Sequence, residues 1–337
     1  MPRARRFVPL ALVVAVLLPV GVAACGKGAG TGPKVGVPAA HGTADVAYAG
    51  SLVDLEEKVI GPAFTAATGY AYSGRGAGSL ALSQEIVSGE ISPSVFLSVG
   101  AMPIESLEPR FTTWYVQFAA SPVVLAYSPS SRFAPQLEAI AAGREPLKDL
   151  FSLMATPGFR LGRTDPNVDP QGQAFVEMLQ LSKAKFGLAS GLVERILGGS
   201  PASASSPEIF DETALEPRLE AGQLDAASAF LSQAVQLHLH YIDLGPAVDL
   251  GDPALAADYG KASFPLANGA VVHGQPLVID ITVIGTASTG PADAFVAYTL
   301  SAAGRRAFGQ NGYHLLPATA FGATSAVPRA VAAELAS

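Results

Sequence analysis

The chain has 337 residues, which is enough for two domains of ordinary size. Hydrophobic residues make up 49% of it and charged residues only 15%, and this balance excludes an intrinsically disordered chain. The net charge of −7 argues against a nucleic-acid binder, which usually presents a basic surface, and the single cysteine excludes an intrachain disulfide and a thiolate metal cluster.

The start of the chain has the pattern of an export signal. Residues 1–6 are basic, residues 7–24 are apolar, and the run ends in small residues. The ending Val-Ala-Ala followed by Cys25 resembles a bacterial lipobox, in which the signal is removed before a cysteine that then carries lipid. We therefore predict a signal peptide over 1–24, lipid attachment at Cys25 and an extracytoplasmic protein anchored to the cell membrane. The alternative is a single N-terminal membrane helix.

Residues 25–44 are predicted to form a lipidated, flexible tether, because they are rich in glycine and contain Pro33 and Pro38. The folded body is then expected to begin near Asp45. No later run reaches the length needed to span a membrane without a charge, a glycine or a proline breaking it.

Within the body, short apolar runs alternate with longer helical patterns, which predicts an α/β fold with largely parallel sheets. The first strand covers 46–49, and Ser51 with Asp54 then forms a Ser-x-x-Asp capping pattern at the start of a helix. A second glycine-rich stretch, 74–79, precedes a helical stripe that ends at Gly89.

A third loop, residues 165–172, opens a later helix, with Asp169 as its N-cap and Pro170 at its first position. The most strand-like runs are 122–127 and 277–284, and the last helix is expected over 291–301, continuing unevenly toward Phe308.

Each of these three loops opens a helix, and a helix N-terminus presents unpaired N–H groups and about half a positive charge. Several such ends converging on one point would hold an anion without a full positive charge. Taken alone, each loop is more commonly a helix cap or a turn. The loop at 74–79 is not a nucleotide-binding P-loop, because it lacks the Gly-Lys-Ser/Thr ending.

A series of short segments matches one known family in order and spacing: 49–52, 78–81, 114–119, 123–127, 165–172, 222–225, 295–298 and 312–313. Over residues 45–317 the chain resembles the periplasmic molybdate/tungstate-binding proteins of ABC importers, especially their archaeal branch. The resemblance implies a two-lobed α/β periplasmic-binding-protein fold of type II, in which the chain crosses twice between lobes. We expect one lobe over 45–122 and 277–330 and the other over 123–276.

The resemblance also implies the ligand-binding residues. Ser51 and Ser79 match serines that donate hydrogen bonds to the oxyanion, and the backbone amide at Gln171 would face it. Asp169 matches an aspartate that, in the archaeal branch, approaches the metal together with a later glutamate. That glutamate position is Ala229 here, so coordination by two carboxylates is not expected, and we favour a helix-capping role for Asp169.

Two further residues are candidates for ligand contacts. The tyrosine that follows the glutamate in the archaeal branch is Phe230 here, and Ser228 could restore a hydrogen-bond donor near that strand end. Arg75 lies inside the glycine-rich loop and could pair with a carboxylate or phosphate, although it could equally be an ordinary surface arginine.

These features together predict a solute-binding lipoprotein that captures molybdate or tungstate and delivers it to an ABC permease and its ATPase. We expect a monomer without catalytic residues, cofactor, resident metal or nucleic-acid partner, since no nucleophile elbow or zinc-protease motif is present. Two alternatives stay open. The ligand could be another anion, such as sulfate, phosphate or a small organic acid, or the chain could be a surface lipoprotein that engages a protein partner.

Overall fold

The computed structural model describes residues 41–199, 209–285 and 290–335. The predicted signal peptide, Cys25 and most of the predicted tether lie outside the described residues. The first strand begins at Thr43, so the folded body starts two residues before Asp45, the predicted start. No helix in the described part of the chain is long and apolar enough to cross a membrane.

Strands and helices alternate along the chain. The strands are β1 Thr43–Ala49, β2 Ala71–Ala77, β3 Val95–Val99, β4 Trp114–Ala120, β5 Val123–Tyr127, β6 Leu161–Gly162, β7 Ala226–Phe230, β8 His240–Asp243, β9 Ser263–Pro265, β10 Val271–His273, β11 Val278–Val283 and β12 His314–Gly322. The helices are α1 Val53–Leu55, α2 Gly61–Thr68, α3 Ser79–Ser88, α4 Met102–Glu105, α5 Ala134–Ala141, α6 Lys148–Met154, α7 Pro170–Phe186, α8 Leu192–Ile196, α9 Glu212–Glu220, α10 Leu231–Gln236, α11 Ala256–Tyr259, α12 Gly290–Leu300, α13 Ala302–Gln310 and α14 Arg329–Leu335.

The larger strands form two sheets. One has the order β12-β4-β11-β3-β1-β2 and the other the order β6-β7-β5-β8, while β9 and β10 form a separate pair. The chain leaves the six-stranded sheet at Ala120, enters the four-stranded sheet at Val123, and returns to the first sheet at β11. The α/β class with two crossings between sheets is thereby observed.

The expectation of largely parallel sheets is wrong. Among the strands in the described residues, only β1–β2, β1–β3 and β6–β7 pair in parallel. By contrast, β11 and β12 in the first sheet, and β5 with both its neighbours in the second, pair antiparallel. The reason is that a continuous apolar run reports burial on both faces of a sheet, and central strands such as β5 and β11 are fully buried whatever their direction.

Two helix predictions also need correction. Ser51 does not cap its helix, because a 3₁₀ turn over Gly50–Leu52 already includes it and no side chain caps that turn. From this turn the chain continues through α1 and a π-helical turn, Glu56–Ile60, into α2. The predicted last helix corresponds to α12, but α13 and α14 follow it.

Aromatic side chains pack the core on both sheets. Beside the six-stranded sheet, the rings of Phe64 and Phe295 meet edge to face with centroids 5.1 Å apart, and Phe118 meets Phe308 at 4.8 Å. In the part of the chain that carries the four-stranded sheet, the ring centroids of Phe133 and Phe159 lie 5.0 Å apart. Large buried rings of this kind supply much of the apolar area that stabilises a domain.

Candidate functional site

Two glycine–serine turns leave the six-stranded sheet side by side. In the parallel pair β1–β2, Ala49 lies opposite Ala77. Gly50 and Ser51 follow the first of these residues, and Gly78 and Ser79 follow the second. Ser51 is 4% exposed and Ser79 is fully buried. The register therefore brings the two serines predicted from the sequence to the same edge of the sheet.

Ser79 is held by the end of a third strand. Its Oγ accepts a hydrogen bond of 3.2 Å from the backbone N–H of Val99, the last residue of β3. A hydroxyl that accepts keeps its own hydrogen for donation. Ser51 differs, because its buried Oγ has no hydrogen-bond partner among the described residues.

The start of α3 touches the start of α7, which packs on the other sheet. The Ala81 N–H donates to the Val168 carbonyl at 3.1 Å. A Cβ atom added at Gly78 would lie 2.8 Å from that same carbonyl oxygen. Real Cβ atoms essentially never come this close to another heavy atom. Glycine at position 78 is therefore required for the two helix starts to approach this closely.

The helix-capping role expected for Asp169 is confirmed. Its Oδ1 accepts a 2.7 Å hydrogen bond from the backbone N–H of Gln171, in the first turn of α7. Burial raises the pKa of Asp169 to about 7, and the hydrogen bond from the Gln171 amide opposes that rise. The Gln171 amide, predicted to face a ligand, is thus engaged by Asp169 in this structure.

The Gln171 side chain joins Ser228 to the same cluster. Ser228 Oγ donates to Gln171 Oε1 at 3.2 Å, and Gln171 Nε2 donates to Gln233 Oε1 at 2.8 Å. Gln233 Oε1 also accepts from the Phe230 N–H at 2.8 Å. Gln233 was not among the predicted site residues, although a glutamine at the third position of a helix is a known capping signal.

Glu212 is the functional candidate for which the sequence carries no signal. It is the first residue of α9, is 4% exposed, and its carboxyl rests against the Gly50 turn, where an added Cβ would lie 2.5 Å from Glu212 Oε2. Burial, followed by the charges of Asp169 and Glu216, raises its pKa well above the ordinary value. The Ser51 amide and hydroxyl lower that pKa in part, although the hydroxyl does not reach hydrogen-bonding geometry.

A cavity of about 150 Å³ opens beside Ser51, between the first turn after β1 and helices α9 and α10. Its polar lining includes Ser51, Glu216 and Gln236, and one side-chain oxygen of each is buried without a hydrogen-bond partner among residues 41–199, 209–285 and 290–335. This volume holds a small ion or a few water molecules, since one water occupies about 30 Å³ of liquid.

Arg75 lies apart from this cluster. It is exposed on β2, the edge strand of the six-stranded sheet, and its Nη2 lies 2.8 Å from Glu85 Oε2. The structure therefore brings together Ser51, Ser79, Asp169 and Gln171, with Ser228 attached through Gln171, but it does not bring Arg75 to them.

Comparison with known proteins identifies the family. Residues 44–314 match the family described as bacterial extracellular solute-binding protein. The chain is 30% identical over 232 residues to the molybdate/tungstate-binding protein WtpA of Pyrococcus abyssi, covering 64% of this chain and 66% of that protein. It is 30% identical over 172 residues to a putative ABC transporter molybdenum-binding protein of Haloferax volcanii, covering 50% of each. The matches thus span only one half to two thirds of these relatives' length.

Among solved structures, the periplasmic molybdate-binding protein of Azotobacter vinelandii matches with a TM-score of 0.52 and 19% identity, over 80% of this chain and 98% of that one. This likeness supports the two-lobed periplasmic-binding-protein fold. The matched family consists of solute-binding proteins rather than enzymes. A family match over most of the folded body, together with this fold, shows that the chain belongs to the bacterial extracellular solute-binding proteins.

Proposed function

We propose that the chain is the solute receptor of an ABC importer and that it binds a tetrahedral oxyanion, molybdate or tungstate, where the Ser51 and Ser79 turns meet the start of α7. The observation that carries this proposal is the convergence itself. The two turns follow residues that pair with each other in the six-stranded sheet. The Ala81–Val168 backbone hydrogen bond then joins this region to the start of α7, which packs on the four-stranded sheet. Two relatives named for binding these metals support the choice of ligand.

The donors available at this point suit an anion. The buried Ser51 hydroxyl has no hydrogen-bond partner among the described residues, and the Ser79 hydroxyl accepts from the Val99 N–H and so keeps its own hydrogen for donation. Hydrogen bonds to a charged group contribute about 1.5–3 kcal/mol each, so a few such donors offset the desolvation of a small dianion. Selection of molybdate over sulfate would come from the size of the enclosed space, because the two anions share charge and shape.

The sheet connectivity supports closure around the ligand. We assign one lobe to residues 45–122 and 277–330 and the other to 123–276, so that each lobe contains one of the two large sheets. Ligand between the lobes would favour the closed arrangement, and a permease would recognise that closed form.

The location proposed for this receptor is the outer side of the cell membrane, held by lipid on Cys25 after removal of residues 1–24. The matched family is described as extracellular, which supports export of this chain from the cytoplasm. The test is the fate of a Cys25→Ala variant produced in a bacterial host. We expect this variant to leave the membrane fraction, while the unaltered chain stays in it and gains the mass of lipid. A variant that stays membrane-bound would contradict lipid anchoring.

Thermal unfolding of the full chain in the presence of an anion panel tests the ligand. An anion at 100 times its dissociation constant adds about 2.7 kcal/mol to the free energy of unfolding. We expect molybdate and tungstate to raise the melting temperature and sulfate to raise it less. Stabilisation by no anion would contradict oxyanion binding and favour a protein partner.

A second candidate ligand is an anion that carries its own O–H group, such as hydrogen phosphate or a hydroxy acid. The observation in its favour is the pair of unpartnered acceptors, Glu216 Oε1 and Gln236 Oε1, in the cavity beside Ser51. In the same unfolding experiment this candidate predicts stabilisation by phosphate or a hydroxy acid and none by molybdate.

A further inference from the structure

Glu212 occupies the position where a bound anion would meet the first turn. Its side chain is 4% exposed, and Oε2 lies so close to Gly50 that a methyl group at that residue would collide with it. Ser51, the next residue, is the first serine of the proposed site. The carboxyl of Glu212 therefore lies within the site.

An unpaired hydroxyl lies beside this carboxyl. Glu212 Oε1 and Ser51 Oγ are both buried and have no hydrogen-bond partner among the described residues. The Ser51 side chain is close enough to the carboxyl to lower its pKa, and Ser51 is only 4% exposed. Because buried polar groups are nearly always hydrogen-bonded, an unpaired hydroxyl beside an unpaired carboxyl oxygen indicates a place that accepts a ligand.

The titratable groups that face Glu212 are acidic or neutral. They are Asp169 at the start of α7, Glu216 on α9 itself and Tyr313 after α13, with Asp54 and Glu220 facing Glu216 in turn. The basic residue on the adjoining element is Arg163. Its backbone forms a parallel β-bridge with Ile209, just before α9, and Arg163 already has an interaction partner.

Burial and these neighbours raise the pKa of Glu212 well above its ordinary value, and they raise the pKa of Glu216 to about 8. An ionised carboxylate beside a dianion would be repulsive, because two like charges in a desolvated site disfavour the charged form. A neutral carboxylic acid instead has an O–H group that donates a hydrogen bond.

We propose that Glu212 is a ligand-binding residue that acts as a neutral carboxylic acid and donates a hydrogen bond to the oxyanion, so that at alkaline pH, where this carboxyl is ionised in the empty site, an anion enters the closed site together with a proton from solvent. The proton balance is simple: the Glu212 carboxylate takes up one proton from water, and the anion keeps its double negative charge. This inference rests on the proposed function, since it concerns the same site.

Titration calorimetry of the full chain with sodium molybdate, in buffers of different ionisation enthalpy, measures the protons taken up per anion. Molybdate carries no proton of its own between pH 6 and 9, so any uptake belongs to the protein. We expect uptake approaching one proton at the alkaline end, and an affinity that falls by about tenfold per pH unit there.

Glu212→Gln keeps a side-chain donor but cannot titrate. In this variant we expect proton uptake to disappear and the affinity at pH 8.5 to change little with further rise in pH. Glu220→Gln, an exposed acid on the same helix, is the matched control and should behave like the unaltered chain. Melting temperatures of both variants establish that they fold. The proton uptake measured on the unaltered chain tests the proposal even if a variant does not fold.

Two outcomes separate this inference from the proposal beneath it. Molybdate binding without proton uptake, or an unchanged pH profile in Glu212→Gln, would overturn the role of Glu212 and leave the oxyanion receptor standing. Failure of every anion in the panel to bind at any pH from 6 to 9 would overturn both.

Discussion

Tyr313 Oη donates a 3.2 Å hydrogen bond to the backbone carbonyl of Ser51. The tyrosine is buried, follows α13 near the end of the folded body, and holds in place the turn that begins the proposed site. The first turn after β1 is thus fixed from outside its own strand and helix.

Tyr313→Phe removes this hydrogen bond and keeps the ring that packs against Phe308. A net intramolecular hydrogen bond contributes about 0.5–1.5 kcal/mol, so we expect a loss of about 1 kcal/mol in the free energy of unfolding. Since the Ser51 turn is then less constrained, molybdate affinity should fall by a few fold. Urea denaturation and calorimetry measure the two effects. Unchanged affinity alongside the stability loss would indicate that Ser51 is positioned without Tyr313.

Ser51→Ala and Ser79→Ala should differ in their effect on stability. Ser51 Oγ has no partner, so its removal should leave the unfolding free energy within about 0.5 kcal/mol, whereas Ser79→Ala leaves the buried Val99 N–H unpaired and should cost about 1–3 kcal/mol. Both variants should bind molybdate at least tenfold more weakly, which calorimetry measures. Wild-type affinity in either variant would remove that serine from the site.

The buried carboxyls predict that the protein becomes less stable as the pH rises. Burial raises the pKa of Glu56, Glu177 and Asp280 to about 8 each. A carboxyl whose pKa is higher in the folded than in the unfolded state binds its proton more tightly when folded, so its contribution is complete below about pH 4 and is lost as the pH rises towards 8. The melting temperature should therefore be higher at pH 5.5 than at pH 8.5.

Glu56 offers the sharpest test of this pH dependence, because it is fully buried in the π-helical turn and neither carboxyl oxygen has a hydrogen-bond partner in the described part of the chain. Glu56→Gln should stabilise the protein at pH 8.5 and change it little at pH 5.5. Glu90→Gln, at an exposed position after α3, is the control. A Glu56→Gln variant that is less stable at both pH values would show that the carboxylate itself is required.

Arg75→Ala should change molybdate affinity by less than twofold. The guanidinium lies on an exposed edge strand and pairs with Glu85, and exposed ion pairs contribute less than about 1 kcal/mol to stability. The sequence hypothesis of a direct anion contact predicts a loss of tenfold or more instead. Calorimetry with molybdate distinguishes the two, with Arg132→Ala as a control at another surface arginine.

Local chemistry made part of this site predictable. Asp169 could be assigned as a cap because an aspartate before a proline at the first helical position is a local pattern. Ser51 and Ser79 were instead assigned from the resemblance to a known family, and the local capping pattern at Ser51 was wrong. The direction of β11 could not be predicted. Because both faces of this strand are buried, its sequence lacks the alternation of apolar and polar residues that is typical of antiparallel strands.

Glu212 could not be found for a related reason. Its neighbours in sequence, Asp211 and Thr213, are exposed, so an acid at this position has the appearance of an ordinary first-turn residue on a surface helix. Glu212 can be buried because Gly50 has no side chain and leaves room for its carboxyl. This contact joins distant parts of the chain, and no local pattern encodes it.

The hydrogen bond between Ala81 and Val168 uses main-chain atoms on both sides, and Gly78 contributes only the space that it leaves free. Replacing the serines and acids nearby would therefore leave this backbone connection between the two sheets in place. If the proposed site is correct, substitutions there can change the preferred solute without disturbing the contact that joins the two helix starts.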